Sequence, residues 1–116
     1  MNLYHCFIDL KDDAKALAFA HALDQWMTFL QEKGVIRSWR LLRRKLNLAS
    51  DAHRDFMLEI EVDDLAQLDR AFRLVSSQSE DVERLYRQIT PMIAASNFAL
   101  YRPFPDPERA ERVALL

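Results

Sequence analysis

The stretch DFMLEIEV, residues 55–62, decides the fold that this sequence predicts. Every second residue is a large apolar one, which is the period of a β-strand with one buried face. The apolar set is Phe56, Leu58, Ile60 and Val62, and the alternate set is Met57, Glu59 and Glu61. We therefore predict a strand that turns one side to a hydrophobic core and the other to an open surface.

The segments on either side of this strand predict three more strands and two helices. A long amphipathic helix follows Asp12 and Asp13 and ends at Gly34. A second helix, capped by Asp63 or Asp64, is interrupted at SSQSE and then resumes. The strands are predicted at 3–10, 35–48, 55–62 and 97–104, and the helices at 14–34 and 65–92. This order predicts an α+β domain of the ferredoxin-like βαββαβ class, a four-stranded antiparallel sheet with the helices on one face.

In this topology the first and third strands are neighbours at the centre of the sheet. Cys6, Ile8 and Leu10 suit the side of the first strand that faces the helices, because they are its most uniformly apolar set. The open side then carries Leu3, His5, Phe7, Asp9, Met57 and Glu59. His5 is therefore expected on a mixed apolar and acidic surface, with Glu59 nearby.

Composition limits the classes of function. The 116 residues are half apolar, and we predict one domain, 1–105, followed by a C-terminal tail, 106–116. A formal net charge of −2 favours neither nucleic acid nor an anionic membrane as a partner, and no apolar run approaches the roughly 18 residues of a membrane span. Gly34 is the only glycine and Cys6 the only cysteine, which argues against glycine-rich phosphate loops and internal disulfides. We therefore predict a cytoplasmic protein without a cofactor, a nucleic-acid partner or a membrane partner.

Three residues form the candidate catalytic site. His5 can act as a general base if a carboxylate such as Glu59 orients it, and Tyr101 can assist in proton transfer. The alternative is a structural or interfacial histidine with no chemistry of its own. His21 and His53 lack the spacing of a metal-ligand pair, so we predict no metal site.

Two features that could suggest nucleic-acid binding have simpler interpretations. Five basic residues surround Trp39 in the second predicted strand, namely Arg37, Arg40, Arg43, Arg44 and Lys45. Alternation divides them between two faces, which is typical of an edge strand protected by charge. RNA-recognition domains of this topology stack bases on aromatic residues of the third strand, where this chain has Met57, Glu59 and Glu61.

Five segments spread along the chain carry a family resemblance. They are LYHCFIDLK, LQEKG, RRKL, EIEVDDLAQLDRAF and NFALYRPFPDP. Together they resemble a family of small bacterial proteins of unknown function. The strand-borne His5, followed by an apolar residue and a long helix, is more distantly similar to dimeric α+β barrels such as stress-responsive barrel proteins and small cofactor-independent monooxygenases. That resemblance implies that two protomers pack open sheet face to open sheet face and enclose a pocket.

We accordingly predict a homodimer whose paired sheets enclose a small, mostly apolar pocket. One class of function that fits is a module that binds a small, partly apolar molecule or only assembles. The alternative is a cofactor-independent enzyme, monooxygenase-like or isomerase-like, that uses His5 for proton transfer. In the tail, Val113, Leu115 and Leu116 are expected to pack on the partner subunit or on the outside of a helix, with a flexible end as the alternative.

Overall fold

A computed structural model describes residues 1–46 and 48–106 of the chain. The elements of these residues are β1 Asn2–Leu10, α1 Ala16–Glu32, β2 Ser38–Arg43, β3 Phe56–Val62, α2 Leu65–Ser76, α3 Glu80–Ile89 and β4 Ile93–Tyr101, with a 3₁₀ turn at Thr90–Met92 before β4. The strands form one antiparallel sheet in the order β2-β3-β1-β4. The predicted ferredoxin-like α+β fold is confirmed, and so is the edge position of β2. Beyond Asp106 the predicted tail lies outside the described residues, and its packing stays a prediction.

The long first helix forms because its apolar residues recur at helical spacing and cover the sheet. Its buried residues are Phe19, Ala22, Leu23, Trp26, Met27 and Leu30. Gly34 follows the helix with φ +71°, in the left-handed region that glycine enters without strain, as predicted. The residue before the helix is Lys15, whose side chain makes no capping hydrogen bond.

The second predicted helix is two helices, with the break at the predicted SSQSE segment. Asp64 caps α2 by accepting a hydrogen bond from the Gln67 N–H at 2.8 Å. After α2 ends, Gln78 takes φ +53°, and the Ser79 side chain then caps α3. The two helices can therefore lie at different angles over the sheet. None of the described helices has both the length and the apolar composition needed to cross a bilayer.

Two strands differ in extent from their predictions. The second strand was predicted at 35–48, but β2 covers only Ser38–Arg43, because Val35 and Ile36 are buried in the core before the strand begins. The fourth strand was predicted at 97–104, but it begins at Ile93, whose IAAS start has no apolar alternation to mark it. It ends before Pro103, which has no N–H to donate to a neighbouring strand.

The hydrophobic core lies between the helices and one face of the sheet. On the central strands this face carries Cys6, Ile8, Phe56, Leu58, Ile60 and Val62, all of them buried. Phe19 of α1 and Val82 of α3 pack against them with almost no exposed surface. The predicted assignment of faces is therefore confirmed, and the other side of the sheet is left open in the protomer.

Candidate functional site

The open face of the sheet carries rows of side chains that cross all four strands. The rows are Ser38–Glu61–Leu3–Tyr101, Arg40–Glu59–His5–Ala99 and Leu42–Met57–Phe7–Asn97. The middle row holds a histidine and two charged residues, and the last row is mainly apolar. The predicted placement of His5, Met57 and Glu59 on one open surface is confirmed by this register.

The middle row is connected by hydrogen bonds. His5 Nε2 lies 3.0 Å from Glu59 Oε2, and Arg40 Nε donates to Glu59 Oε1 at 2.8 Å. The side chains of His5 and Glu59 are 14% and 16% exposed, whereas that of Arg40 is 64% exposed. Arg40, and to a smaller extent His5, lower the pKa of the Glu59 carboxyl against the opposing effect of its burial.

This network fixes which nitrogen of His5 could accept a proton. An ionised Glu59 can only accept hydrogen bonds, so the His5 Nε2–H donates to it. Nδ1 is then the nitrogen able to act as a base. The Tyr101 ring lies with its centroid 5.0 Å from that of His5, and the Phe7 ring makes a T-shaped contact with His5 at 5.9 Å. The structure thus brings the three predicted catalytic residues together, while their catalytic role stays a prediction.

A cavity of about 670 Å³ lies on the opposite side of the sheet, between the sheet and the helices. Its floor is the helix-facing row of β1, and its walls come from all three helices and from the first half of β4. The polar side chains in its lining are those of Tyr4, Cys6, Tyr86, Thr90 and Ser96. None of the described residues that line this cavity is charged.

Aromatic residues form part of the lining of this cavity. The Tyr4 ring makes an edge contact with Phe72 of α2 at 5.7 Å and stacks on Phe98 of β4 at 5.9 Å. Trp26 of α1 contacts the Tyr86 ring of α3 at 5.9 Å. These contacts join each helix to the sheet or to another helix around the cavity, so its aromatic lining is held in place.

The thiol of Cys6 belongs to the same lining. Burial raises its pKa to about 12, so the group is a neutral thiol at physiological pH. The side chain faces the helices, as predicted, and its protonation state argues for a packing residue and against a nucleophile.

Two smaller cavities flank the sheet. One, of about 400 Å³, lies on the open side near β2 and is lined by residues that include Leu3, Arg40 and Glu59. The other, of about 320 Å³, lies near Asp9 and Asp55. His5 is not among the residues that line these three cavities. In the part of the chain that the structure covers, no three His, Cys, Asp or Glu side chains are grouped to hold a metal ion.

Sequence reasoning placed the predicted pocket on the open face and missed the helix-side cavity. Ala71 and Ala94 leave space beside large aromatic residues, but in the sequence they are ordinary small apolar residues at helix and strand positions. The sequence feature that could have indicated this cavity is the number of aromatic residues at or near helix-facing positions.

The chain belongs to the Family of unknown function (DUF6614), whose profile matches residues 1–116. The predicted membership of a family of unknown function is confirmed by this match. A comparison with curated protein sequences finds no match.

Solved structures share the fold at low sequence identity. A dabb family protein with a ferredoxin-like fold from Mesorhizobium loti is 18% identical, with a TM-score of 0.61 over 89% of this chain and 96% of that chain. A dimeric ferredoxin-like protein of unknown function from a Jannaschia species is 10% identical, with a TM-score of 0.63 over 89% of this chain and 100% of that chain. SnoaB, a cofactor-independent oxygenase from Streptomyces nogalater, is 12% identical, with a TM-score of 0.63 over 89% and 91%. These likenesses establish the fold.

Proposed function

We propose that this member of the Family of unknown function (DUF6614) is a homodimer that binds a small, mostly apolar molecule in the cavity between the helices and the sheet of each protomer. The observation that carries the proposal is the cavity of about 670 Å³. Small-molecule sites in proteins occupy roughly 300–1,000 Å³ and combine an apolar lining with a few polar groups. The pocket predicted from the sequence would lie between the open faces of two sheets, on the side of the sheet away from this cavity.

The lining defines the chemistry of the ligand. An ionised ligand would lose its hydration without gaining a counter-charge, since no described lining residue is charged. Tyr4, Trp26 and Phe72 offer aromatic surface, and Thr90 and Ser96 offer hydroxyl groups. We therefore propose a neutral ligand with a large apolar or aromatic part and a hydroxyl or carbonyl group.

The neutral fluorescent probe N-phenyl-1-naphthylamine tests this proposal. Ala71 of α2 is buried and lines the cavity, so Ala71→Phe fills it. We expect saturable binding to the wild-type protein. In Ala71→Phe we expect a loss of affinity of about tenfold or more, which corresponds to about 1.4 kcal/mol of binding free energy, because the added ring occupies space that the probe needs. The matched control is Ala66→Phe, the same substitution at an exposed position of the same helix.

The control separates cavity filling from a general effect on α2. Overpacking costs stability, so thermal unfolding of both variants is measured beside probe binding. If Ala71→Phe is folded and binds the probe as well as Ala66→Phe does, the cavity is not the site and the proposal fails. Val75→Phe provides a second filling variant if Ala71→Phe does not fold.

The dimer part of the proposal is supported by the open face. Leu3, Phe7, Leu42 and Met57 make this surface partly apolar in the protomer, and apolar patches on soluble proteins usually mark interfaces. The Jannaschia protein of the same fold is described as dimeric. Packing of open face on open face would remove this apolar surface from water.

A second candidate function is supported by the hydrogen bond of 3.0 Å between His5 and Glu59. A base oriented by a carboxylate is an arrangement used for proton transfer, and SnoaB, which shares the fold, is described as a cofactor-independent oxygenase. An enzyme of this kind would use the space over the open face and would not depend on the helix-side cavity.

His5→Ala tests this second function. Neutral hydroxylated aromatic compounds are screened for O₂ uptake with the wild-type protein, with His5→Ala and with His21→Ala, a control that replaces an exposed histidine of α1. We expect activity to be lost in His5→Ala alone, with the fold retained and a stability loss of about 1–2 kcal/mol, because Glu59 Oε2 loses its donor while Oε1 keeps Arg40. Turnover that is unaffected by His5→Ala would remove the only base that the enzyme hypothesis names.

A further inference from the structure

The described part of the chain ends on the helix side of the sheet. The helix-facing positions of β4 include Phe98 and Leu100, and Arg102 continues the same row beyond the strand. Arg102 Nε donates to Asn2 Oδ1, and Arg102 Nη1 donates to Asp106 Oδ2 at 2.7 Å. Because Asn2 is a helix-facing residue of β1, these bonds hold Asp106 on the side of the sheet that carries the helices.

An apolar surface lies beside this point. We call Phe72, Phe98 and Leu100 the mouth patch; their side chains are 48%, 60% and 45% exposed. Tyr4 joins them, since its ring contacts both phenylalanines and its backbone pairs with Leu100. Three large apolar side chains lie about half exposed around Tyr4. An apolar surface of this kind usually packs against another segment or another molecule.

Asn2 provides a second, polar observation at the same corner. It is 0% exposed, and its Nδ2 has no hydrogen-bond acceptor among the described residues. Buried amide groups in folded proteins nearly always have a partner, and an unpaired one costs about 1–3 kcal/mol. Asn2 is itself fully enclosed, so this unpaired donor is a local cost of the corner that a covering segment does not reach.

We propose that residues 107–116 of the same chain dock on the mouth patch. Val113, Leu115 and Leu116 supply the apolar side chains that cover this surface. Arg102 lies four positions beyond Phe98, about 13 Å along an extended chain, whereas ten residues span at most about 33–36 Å, so the segment has the reach. This docking goes beyond the proposed function, because it needs no ligand in the cavity.

The position of Asp106 favours the same chain over a second copy as the occupant. A segment that starts beside the mouth patch has a high effective concentration there, whereas another molecule must first associate. Charge does not oppose this docking, since Glu108, Arg109, Glu111 and Arg112 balance each other within the segment.

Disulfide trapping tests the proposal. In a Cys6→Ala background, Leu115→Cys is combined in turn with Phe72→Cys, Phe98→Cys and Leu100→Cys, so that one variant that fails to fold leaves two others. The control pairs Leu115→Cys with Leu17→Cys, which is exposed on α1 and away from the open face. Under mild oxidation we expect at least one mouth-patch pair to form an intramolecular disulfide about tenfold faster than the control pair, since a disulfide needs the two Cα atoms within about 7 Å.

Non-reducing electrophoresis and intact mass distinguish the outcomes. A monomer-sized product that has lost two hydrogens supports docking within one chain. A covalent dimer formed by the mouth-patch pairs would place the segment on the partner subunit and overturn the proposal. Equal rates for the control and mouth-patch pairs would overturn it too. None of these results depends on probe binding, so failure of the docking and failure of the proposed function are separate.

Discussion

Glu59 accepts hydrogen bonds from two basic side chains on different strands, Arg40 on β2 and His5 on β1. Arg40 makes the larger contribution to lowering the pKa of the Glu59 carboxyl. A carboxyl group with a lowered pKa in the folded state adds stability above its unfolded pKa and loses that contribution as pH falls through the folded value. The middle row of the open face should therefore make the protein sensitive to acid.

The substitution Glu59→Gln tests this sensitivity. We expect the wild-type protein to be more stable than Glu59→Gln by a nearly constant amount above about pH 6, because the carboxylate is then ionised in both states. The difference should shrink as pH falls below the ordinary value of 4.5. Thermal unfolding followed from about pH 7 to pH 2.5 measures this difference.

Asp51→Asn serves as the control, since Asp51 is an exposed residue of a turn. Some acid sensitivity should persist in Glu59→Gln, because the Asp55 N–H and Arg54 also lower the pKa of Asp9. A stability difference between the wild-type protein and Glu59→Gln that stays constant to about pH 2.5 would contradict the assigned role of the carboxylate.

Among the α-helices of the described residues, α1 alone begins without a side-chain cap. Asp64 and Ser79 cap α2 and α3, whereas Lys15 precedes α1 with an extended backbone and places a positive charge beside the positive end of the helix. Lys15→Asp should therefore stabilise the protein by about 1 kcal/mol, through a hydrogen bond to a free N–H and a favourable charge. Urea denaturation measures the gain.

The control for this prediction is Lys11→Asp, which makes the same change of charge at an exposed residue outside the helix. Equal effects of the two substitutions would show that net charge and not capping is responsible. A loss of stability in Lys15→Asp alone would contradict the prediction directly.

The elements could be predicted from the sequence where local periodicity is strong. The alternation of Phe56 to Val62 gave β3 its bounds and faces, and Gly34 marked the end of α1. The bounds of β2 and β4 depend on which residues pair with β3 and β1, which is a property of the assembled sheet.

Arg40 was recognised as part of a basic segment, but its hydrogen bond to Glu59 follows from strand register. The cavity depends on the spacing between helices and sheet, which no local pattern encodes.

For the whole molecule, the proposed dimer makes the open face the decisive surface. Met57 lies between Phe7 and Leu42 in the apolar row of this face, so Met57→Lys should place a charge inside the interface. Burying that unpaired charge would cost several kcal/mol, and we expect a folded monomer at micromolar concentration by light scattering. The fold should persist, because the position faces away from the protomer core.

Leu17→Lys is the matched control, since Leu17 is 86% exposed on α1. We expect this variant to remain dimeric like the wild-type protein. A wild-type protein that has monomer mass under the same conditions would reject the dimer. A Met57→Lys protein that remains dimeric would place the interface elsewhere.

The order β2-β3-β1-β4 gives the sheet two unlike edges. Arg40 and Arg43 lie on opposite faces of β2, so an approaching strand meets positive charge on either side. The nine residues of β4 carry no charge and no proline. We therefore expect edge-to-edge pairing of two sheets to occur through β4 in preference to β2. Such a contact between two copies is symmetric and would leave a charged β2 at each outer end, where a further strand adds less readily.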